Sequence, residues 1–249
     1  MLRFLIAIIT NLKRGPEFIS TMRKMTKHPD KYSERDKYVY ALKIIRFLMK
    51  SARISTKIYG VENLPKEGGY IMYPNHQGKY DVLGIMYGHR DPCTFVMDKA
   101  KSYGFMVREM VDLLGAKRLM LDNVRQNIVI MDKITKEVST GKRYIIFSEG
   151  GYDNNGNIVQ RFKPGSFKCA MRARVPIVPV TLIDSYLAFN SLKPGPVKTE
   201  VIFGKPIYYE DYKDLKTPEV ADIVRNTIIN TMEMHGVHDN NKNSPDLLT

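Results

Sequence analysis

The stretch YIMYPNHQGKYDVLG, residues 70–84, changes character twice. Tyr70–Tyr73 is short, apolar and built from strand-forming residues, and Pro74 closes it. A polar turn follows, and apolar residues return over a helix candidate at 81–88. A strand passing through a turn into a helix is the repeating unit of an α/β domain. In that frame His76 stands at the carboxyl end of a strand, where α/β sheets place their ligands.

The pattern continues downstream. Further strand candidates are Thr94–Met97, Tyr144–Phe147, Ile177–Leu182 and Thr199–Phe203, each short and rich in Ile, Val, Tyr or Phe. Further helix candidates are 102–114, 123–139, 165–173 and 217–235. Within 123–139, Val124, Ile128, Ile130, Met131, Ile134 and Val138 mark an apolar stripe, and Gly141 suits the end of the helix. The alternation predicts an α/β fold: one domain over 55–235, with a mixed, mostly parallel central sheet flanked by helices. The polar tail 236–249 is expected to fray.

Length and composition agree with one large globular domain: 249 residues, 43% apolar and 26% charged. The charge is less ordinary, at +13 with a pI near 9.6. Residues 1–57 carry fourteen Lys and Arg against four Asp and Glu, so +10 of the +13 lies there. Such a field calls for an anionic partner. With no zinc-finger spacing, no RNP-like motif and no aromatics interleaved with the cations, nucleic acid is not the expected one. Cys93 and Cys169 form no CxxC pair and no disulfide framework, which fits a reducing, intracellular compartment.

An anionic membrane surface fits the N-terminal segment 1–54 better. Residues 4–9, FLIAII, are apolar but far too few to cross a bilayer, and NLKRG follows where a signal peptide would carry its cleavage site. We read 2–12 as a short helix that dips into a surface or docks on the domain. In 37–54, Tyr38, Leu42, Ile45, Leu48, Met49 and Ala52 share one helical face, and Lys43, Arg46, Lys50 and Arg53 share another. A basic amphipathic helix of this kind lies in a membrane interface, or packs its apolar face on the domain and leaves the cations in solvent.

Candidate chemistry gathers in four places. Asn75, His76 and Asp81 offer a base and a carboxylate five residues away that can orient it once the chain turns into a helix. The bare pattern equally describes a solvated loop histidine. His89 is nearby, but without a second tight ligand pair no metal site is expected. IIFSEGGYDNNGN, 145–157, runs from a strand into Glu149-Gly150-Gly151, whose bare N–H groups allow close approach of a ligand. Ser148 half-resembles a hydrolase nucleophile elbow, but Ile146 stands where that elbow needs glycine. DNNGN places its glycine wrongly for a calcium loop and reads as a hairpin turn. RFKPGSF, 161–167, sets Arg161 and Lys163 before a helix start, which makes either an anion site or an exposed basic loop. VPIVPV, 175–180, is a buried strand interrupted by prolines.

In this order the motifs resemble the 1-acylglycerol-3-phosphate acyltransferases, or phospholipid/glycerol acyltransferases, over roughly residues 55–205. GVENLP (60–65), then Asn75, His76 and Asp81, then Phe147, Glu149 and Gly150, then VPIVPV match successive family blocks, and Lys99 matches a lysine placed before the second block. Two arginines of the family are absent. Asp122-Asn123 stands for Asp-Arg, and Gly151-Tyr152 for Thr-Arg, with Ser148 replacing a proline. The family uses both arginines to hold the acceptor's phosphate. Lys117, Arg118, Arg125, Arg161 and Lys163 are local substitutes.

The resemblance implies direct transfer of a fatty acyl group from acyl-CoA or an acyl-carrier-protein thioester to a lysophospholipid hydroxyl, with no other cofactor and no metal. His76 and Asp81 would be catalytic. Lys99, Arg118, Glu149, Gly150, Arg161 and Lys163 would form the acceptor and phosphate site. The expected location is the cytoplasmic face of the cell membrane, peripheral or monotopic, reached through residues 1–57. A different lysolipid acceptor, a serine hydrolase using Ser148 and a non-catalytic lipid-binding relative are the alternatives.

Overall fold

The computed structural model of the chain describes residues 6, 7, 9–11, 13–120, 123–152, 155–189 and 195–237, and of Val124 the backbone alone. Asp153 and Asn154 of the expected DNNGN turn, Asp122 and most of the 236–249 tail lie outside them. Of the expected 2–12 helix, residues 6, 7, 9 and 10 are helical.

Two helices, α1 (Gly15–Lys27) and α2 (Glu34–Ala52), precede the first strand, β1 (Ile54–Tyr59). Then come β2 (Tyr70–Pro74), α3 (Asp81–Gly88), β3 (Thr94–Asp98), α4 (Val107–Leu113), β4 (Lys117–Leu119), α5 (Val124–Ser139) and β5 (Arg143–Ile145). A 3-10 turn at Pro164–Phe167 leads into α6 (Lys168–Ala173), followed by β6 (Ile177–Ile183), α7 (Tyr186–Phe189), β7 (Val197–Phe203), α8 (Tyr209–Tyr212) and α9 (Thr217–Met234).

The strands form one sheet in the order β1-β7-β6-β2-β5-β3-β4. From β6 to β4 all neighbours are parallel, β1 and β7 are parallel to each other, and only β6 and β7 run antiparallel. The sheet is thus mixed and mostly parallel, as expected. Five parallel strands present their carboxyl ends along one edge, and β2, the central strand of the seven, lies second among them. Every residue of β2 and β6 is buried, as befits parallel strands covered on both faces. Side chains alternate across the pleat: Tyr70 and Met72 enter the core beneath α1–α3, while Ile71 and Tyr73 enter the core beneath α5, α6 and α9.

The N-terminal segment is packed on this body. Ser33 and Asp36 close a capping box at the start of α2, with Ser33 N–H donating to Asp36 at 2.9 Å and Asp36 N–H to Ser33 Oγ at 3.1 Å. Tyr38, Ala41, Ile44, Ile45, Met49 and Ala52 are buried in the core shared with β2 and α3. Tyr38 Oη donates to the Met86 and His89 carbonyls, each at 3.2 Å. Leu42 and Leu48 of the expected apolar face are only half-buried. The apolar side of α2 therefore faces protein, and Lys43, Arg46, Lys50 and Arg53 remain exposed.

Several boundaries moved. Helix 102–114 contracts to α4 because Ala100–Tyr103 is a 3-10 turn and Met106 sits at φ 61°. In α5, Ile134 and Val138 are fully buried, but Ile128 is 54% exposed and off the packed stripe. Strands β1 and β4 were not expected: β1 alternates buried and exposed residues at a sheet edge, and β4 is the three-residue KRL.

Candidate active site

The loop between β2 and α3 is fixed from two sides. Asn75, fully buried, donates from Nδ2 to the Leu182 carbonyl at 3.0 Å and accepts from Leu182 N–H at 2.8 Å, which rivets the end of β2 to β6. Gln77 does the same two residues on, donating to the Leu182 carbonyl and to Asn157 Oδ1 and accepting from Ser185 N–H at 2.8 Å. His76, between these anchors, projects from the carboxyl edge of the sheet.

Asp81 is the first residue of α3 and wholly buried. Its Oδ2 lies 2.7 Å from His76 Nδ1 and also accepts N–H from Gln77 at 2.6 Å and Gly78 at 2.9 Å. Its Oδ1 accepts the Ser185 hydroxyl at 2.5 Å. An oxygen that already accepts two backbone N–H groups acts as an acceptor toward the ring as well, so the proton belongs to Nδ1. Nε2 is left with its lone pair and has no hydrogen-bond partner among the described residues. The ring is stacked on Phe147 at 4.1 Å and met edge-on by Tyr152 at 4.7 Å. It remains 18% exposed, so one tautomer and one orientation face the open side.

Glu149, four residues past the end of the neighbouring strand β5, accepts His76 N–H at 3.0 Å through Oε1. Its Oε2 is buried without a hydrogen bond among the described residues. Burial pushes its carboxyl up to about 8, and the Asp81 charge adds to the rise against the His76 and Gln160 amides and Arg225. At neutral pH it is mostly a neutral acid. Gly150 has φ 82°, and the ammonium of Lys163 lies 2.2 Å from where a Cβ at 150 would stand. Glycine is thus required at 150, and Lys163 is laid against the loop that carries Glu149.

The remaining predicted phosphate ligands are less concentrated. Lys99 is exposed just past β3, with Met120 Sδ 4.0 Å from its ammonium. Two strand spacings, roughly 10 Å, separate β3 from β2. Arg118 is on β4, one strand further out, where it donates to Asp112 at 2.6 Å and to Ser102 at 2.9 Å. That carboxylate already answers its charge, and the structure does not bring Arg118 to His76. Lys117 is likewise paired, with Glu137 at 2.5 Å. Arg125 and Arg161 are exposed.

Ser148 is 1% exposed and bonded to Ser166 Oγ at 2.8 Å, with no imidazole beside it among the described residues. It lacks the base and the access that a nucleophile needs. His89 has both ring nitrogens engaged, by Tyr70 Oη at 2.7 Å and the Asp91 carbonyl at 2.6 Å, and burial holds it down at about 4. It is a neutral core histidine. No group of three or more His, Cys, Asp and Glu among the described residues is arranged to hold a metal ion.

Sequence reading missed Ser185, Gln77, Tyr152 and Lys101 as members of this site. Ser185 and Gln77 lie 108 residues apart and carry no motif of their own. Tyr152 registered only as a missing arginine. Lys101 lies two residues past the lysine that drew attention, and places its ammonium 5.6 Å from the centroid of the Tyr152 ring.

Comparison with known proteins places this site in context. The family model for Acyltransferase matches residues 55–183. The 1-acyl-sn-glycerol-3-phosphate acyltransferase alpha of Mus musculus is 28% identical over 208 residues, covering 78% of this chain and 71% of the mouse protein. A probable 1-acyl-sn-glycerol-3-phosphate acyltransferase of Mycoplasma pneumoniae is 24% identical over 82% of this chain and 80% of its own. The crystal structure of the 1-acyl-sn-glycerophosphate (LPA) acyltransferase PlsC from Thermotoga maritima has the same fold, with a TM-score of 0.72 and 19% identity over 95% of this chain and 96% of that one. The matched segment holds His76, Asp81 and Glu149, so the chain that folds around them belongs to the acyltransferase family.

Proposed function

We propose that this acyltransferase moves a fatty acyl group from a thioester, acyl-CoA or acyl-carrier protein, to the free hydroxyl of 1-acylglycerol-3-phosphate, giving phosphatidic acid. The observation that carries the reading is the unpartnered Nε2 of a histidine whose Nδ1 is held by a buried aspartate. The names of the mouse and Mycoplasma relatives supply the acceptor.

Nε2 takes the acceptor's hydroxyl proton as its oxygen bonds to the thioester carbonyl carbon. Asp81 stabilises the imidazolium so formed. The carbonyl oxygen becomes an oxyanion, for which backbone N–H groups of the 149–151 loop are suitable donors. Collapse re-forms the carbonyl, breaks the C–S bond, and returns the proton from Nε2 to the thiolate. Neutral Glu149 adds no second negative charge beside the anionic acceptor.

A lipid acceptor lies in a membrane, and the chain offers a surface for it. No helix of the described residues is long and apolar enough to cross a membrane. The cations of α2 face outward, as do Lys24 and Lys27 in a groove along α1, and Ile6, Ile9 and Val39 of the same N-terminal segment are exposed. We place the enzyme peripherally on the anionic cytoplasmic face.

One observation favours a second acceptor class: Asn123 and Tyr152 stand where the family resemblance expects phosphate-binding arginines. The experiment is an acyl-CoA assay against lysophosphatidic acid, glycerol 3-phosphate, lysophosphatidylglycerol and monoacylglycerol, with His76→Ala as control. Transfer to lysophosphatidic acid that vanishes in a folded His76→Ala variant is expected. Undiminished turnover in that variant sinks the mechanism, and turnover only of the unphosphorylated acceptor moves the function to the second class.

A further inference from the structure

Two cations flank the loop that follows Glu149. Lys163 packs on Gly150, and Lys101 packs over Tyr152. The Tyr152 ring in turn meets His76 edge-on, so ammonium, phenol ring and imidazole form one continuous row of contacts. Between Gly150 and Tyr152, a side chain at Gly151 would meet nothing within 4 Å among the described residues. Lys101 is exposed and makes no ion pair among the described residues, whereas Lys117 and Arg118 are matched by Glu137 and Asp112.

We propose that Lys101, steered by the face of Tyr152, is a binding residue for the acceptor's phosphate and replaces the arginine that the resemblance expects at 152. The physical argument is one of substitution. An arginine at 152 would bring its charge from the loop itself. Tyrosine at that position cannot, but its ring face attracts a cation, and the one it holds comes from the turn after β3. The charge therefore reaches the loop beside His76 from another element. Lys163, on the far side of Gly151, supplies a second point charge. An ammonium suits this task because it binds phosphate as a point charge and does not need the bidentate geometry of guanidinium.

The inference rests on the reading that the acceptor carries a phosphate, and the test separates the two. Steady-state kinetics with acyl-CoA and lysophosphatidic acid are measured for the wild type, Lys101→Ala, Lys101→Arg, and Lys101→Ala combined with Tyr152→Arg. Losing one charge-assisted contact raises KM for lysophosphatidic acid about 10- to 100-fold, with kcat and the KM for acyl-CoA unchanged. Lys101→Arg keeps most of the affinity, and the Tyr152→Arg double variant recovers it. Recovery distinguishes a lost charge from a disturbed turn, and circular dichroism confirms folding. An unchanged KM in Lys101→Ala overturns this inference while leaving the acceptor assignment intact. A wild type that ignores lysophosphatidic acid but acylates monoacylglycerol overturns both.

Discussion

Asp81 Oδ2 serves His76 Nδ1 at 2.7 Å and the backbone N–H groups of Gln77 and Gly78 with the same atom. One buried carboxylate thus shapes the loop and orients the base. Asparagine is nearly isosteric and its amide oxygen can keep the N–H contacts, but it cannot balance the charge of an imidazolium. Asp81→Asn is therefore expected to fold normally and to lose about 10³- to 10⁴-fold in kcat. Stopped-time acyl-transfer assays check this, and a loss under tenfold would show that Asp81 is structural alone.

Ser148 provides the opposite case. Its hydroxyl is buried against Ser166, so Ser148→Ala removes one neutral hydrogen bond and costs about 1 kcal/mol of stability. Acyl transfer is expected to remain at the wild-type level, and a serine-directed fluorophosphonate should leave the protein unlabelled. Loss of turnover with retained fold, or covalent labelling at Ser148, would revive the hydrolase reading.

How much of this could be read from sequence follows from where each interaction is encoded. Strands β2 and β6 are buried on both faces, so YIMYP and VPIVPV stand out as continuous apolar runs. His76 and Asp81 were legible because five residues and a helix start set their geometry. Strand β1 escaped because its edge position lets Ser55 and Lys57 face solvent. Ser185 escaped because its bond to Asp81 spans 104 residues. Arg118 was read as a phosphate ligand because it is a nearby cation that could substitute for the absent arginines, but Asp112, six residues earlier, takes its charge. The apolar face of α2 was equally consistent with lipid and with protein, since both are apolar. Only the position of β2 and α3 beneath it decides.

Glu149 and His89 make opposite demands on pH. Glu149 is raised from 4.5 to about 8, so the native state holds a proton that the unfolded chain releases near 4.5. Stability from this residue is lost as pH rises from about 4.5 to about 8. His89 is lowered from 6.5 to about 4, so stability is lost as pH falls through that window. Between about 4.5 and 6.5 the two slopes offset each other, and above about 6.5 the Glu149 slope stands alone. Glu149→Gln can still accept His76 N–H and does not ionise. Its unfolding free energy relative to wild type is expected to climb by about 1.4 kcal/mol per pH unit between about 4.5 and 8, then level off. Urea denaturation at several pH values measures this, and a pH-independent difference would show that Glu149 is not held neutral.

The cations of α2 make the membrane proposal testable without touching the active site. Lys43, Arg46, Lys50 and Arg53 are exposed, while the face opposite them is locked into the core, so replacing all four with Gln leaves packing intact. A basic side chain near an anionic bilayer contributes about 1 kcal/mol, so the fourfold variant should bind phosphatidylserine vesicles about 10²- to 10³-fold more weakly at low salt. The deficit is expected to shrink toward 1 M salt, where screening acts within about 3 Å. Turnover of a short-chain, water-soluble lysophosphatidic acid should be unaffected, because that substrate needs no surface. If vesicle binding survives the fourfold change, the charge of α2 serves another partner, and attachment falls to the α1 groove and exposed Ile6 and Ile9.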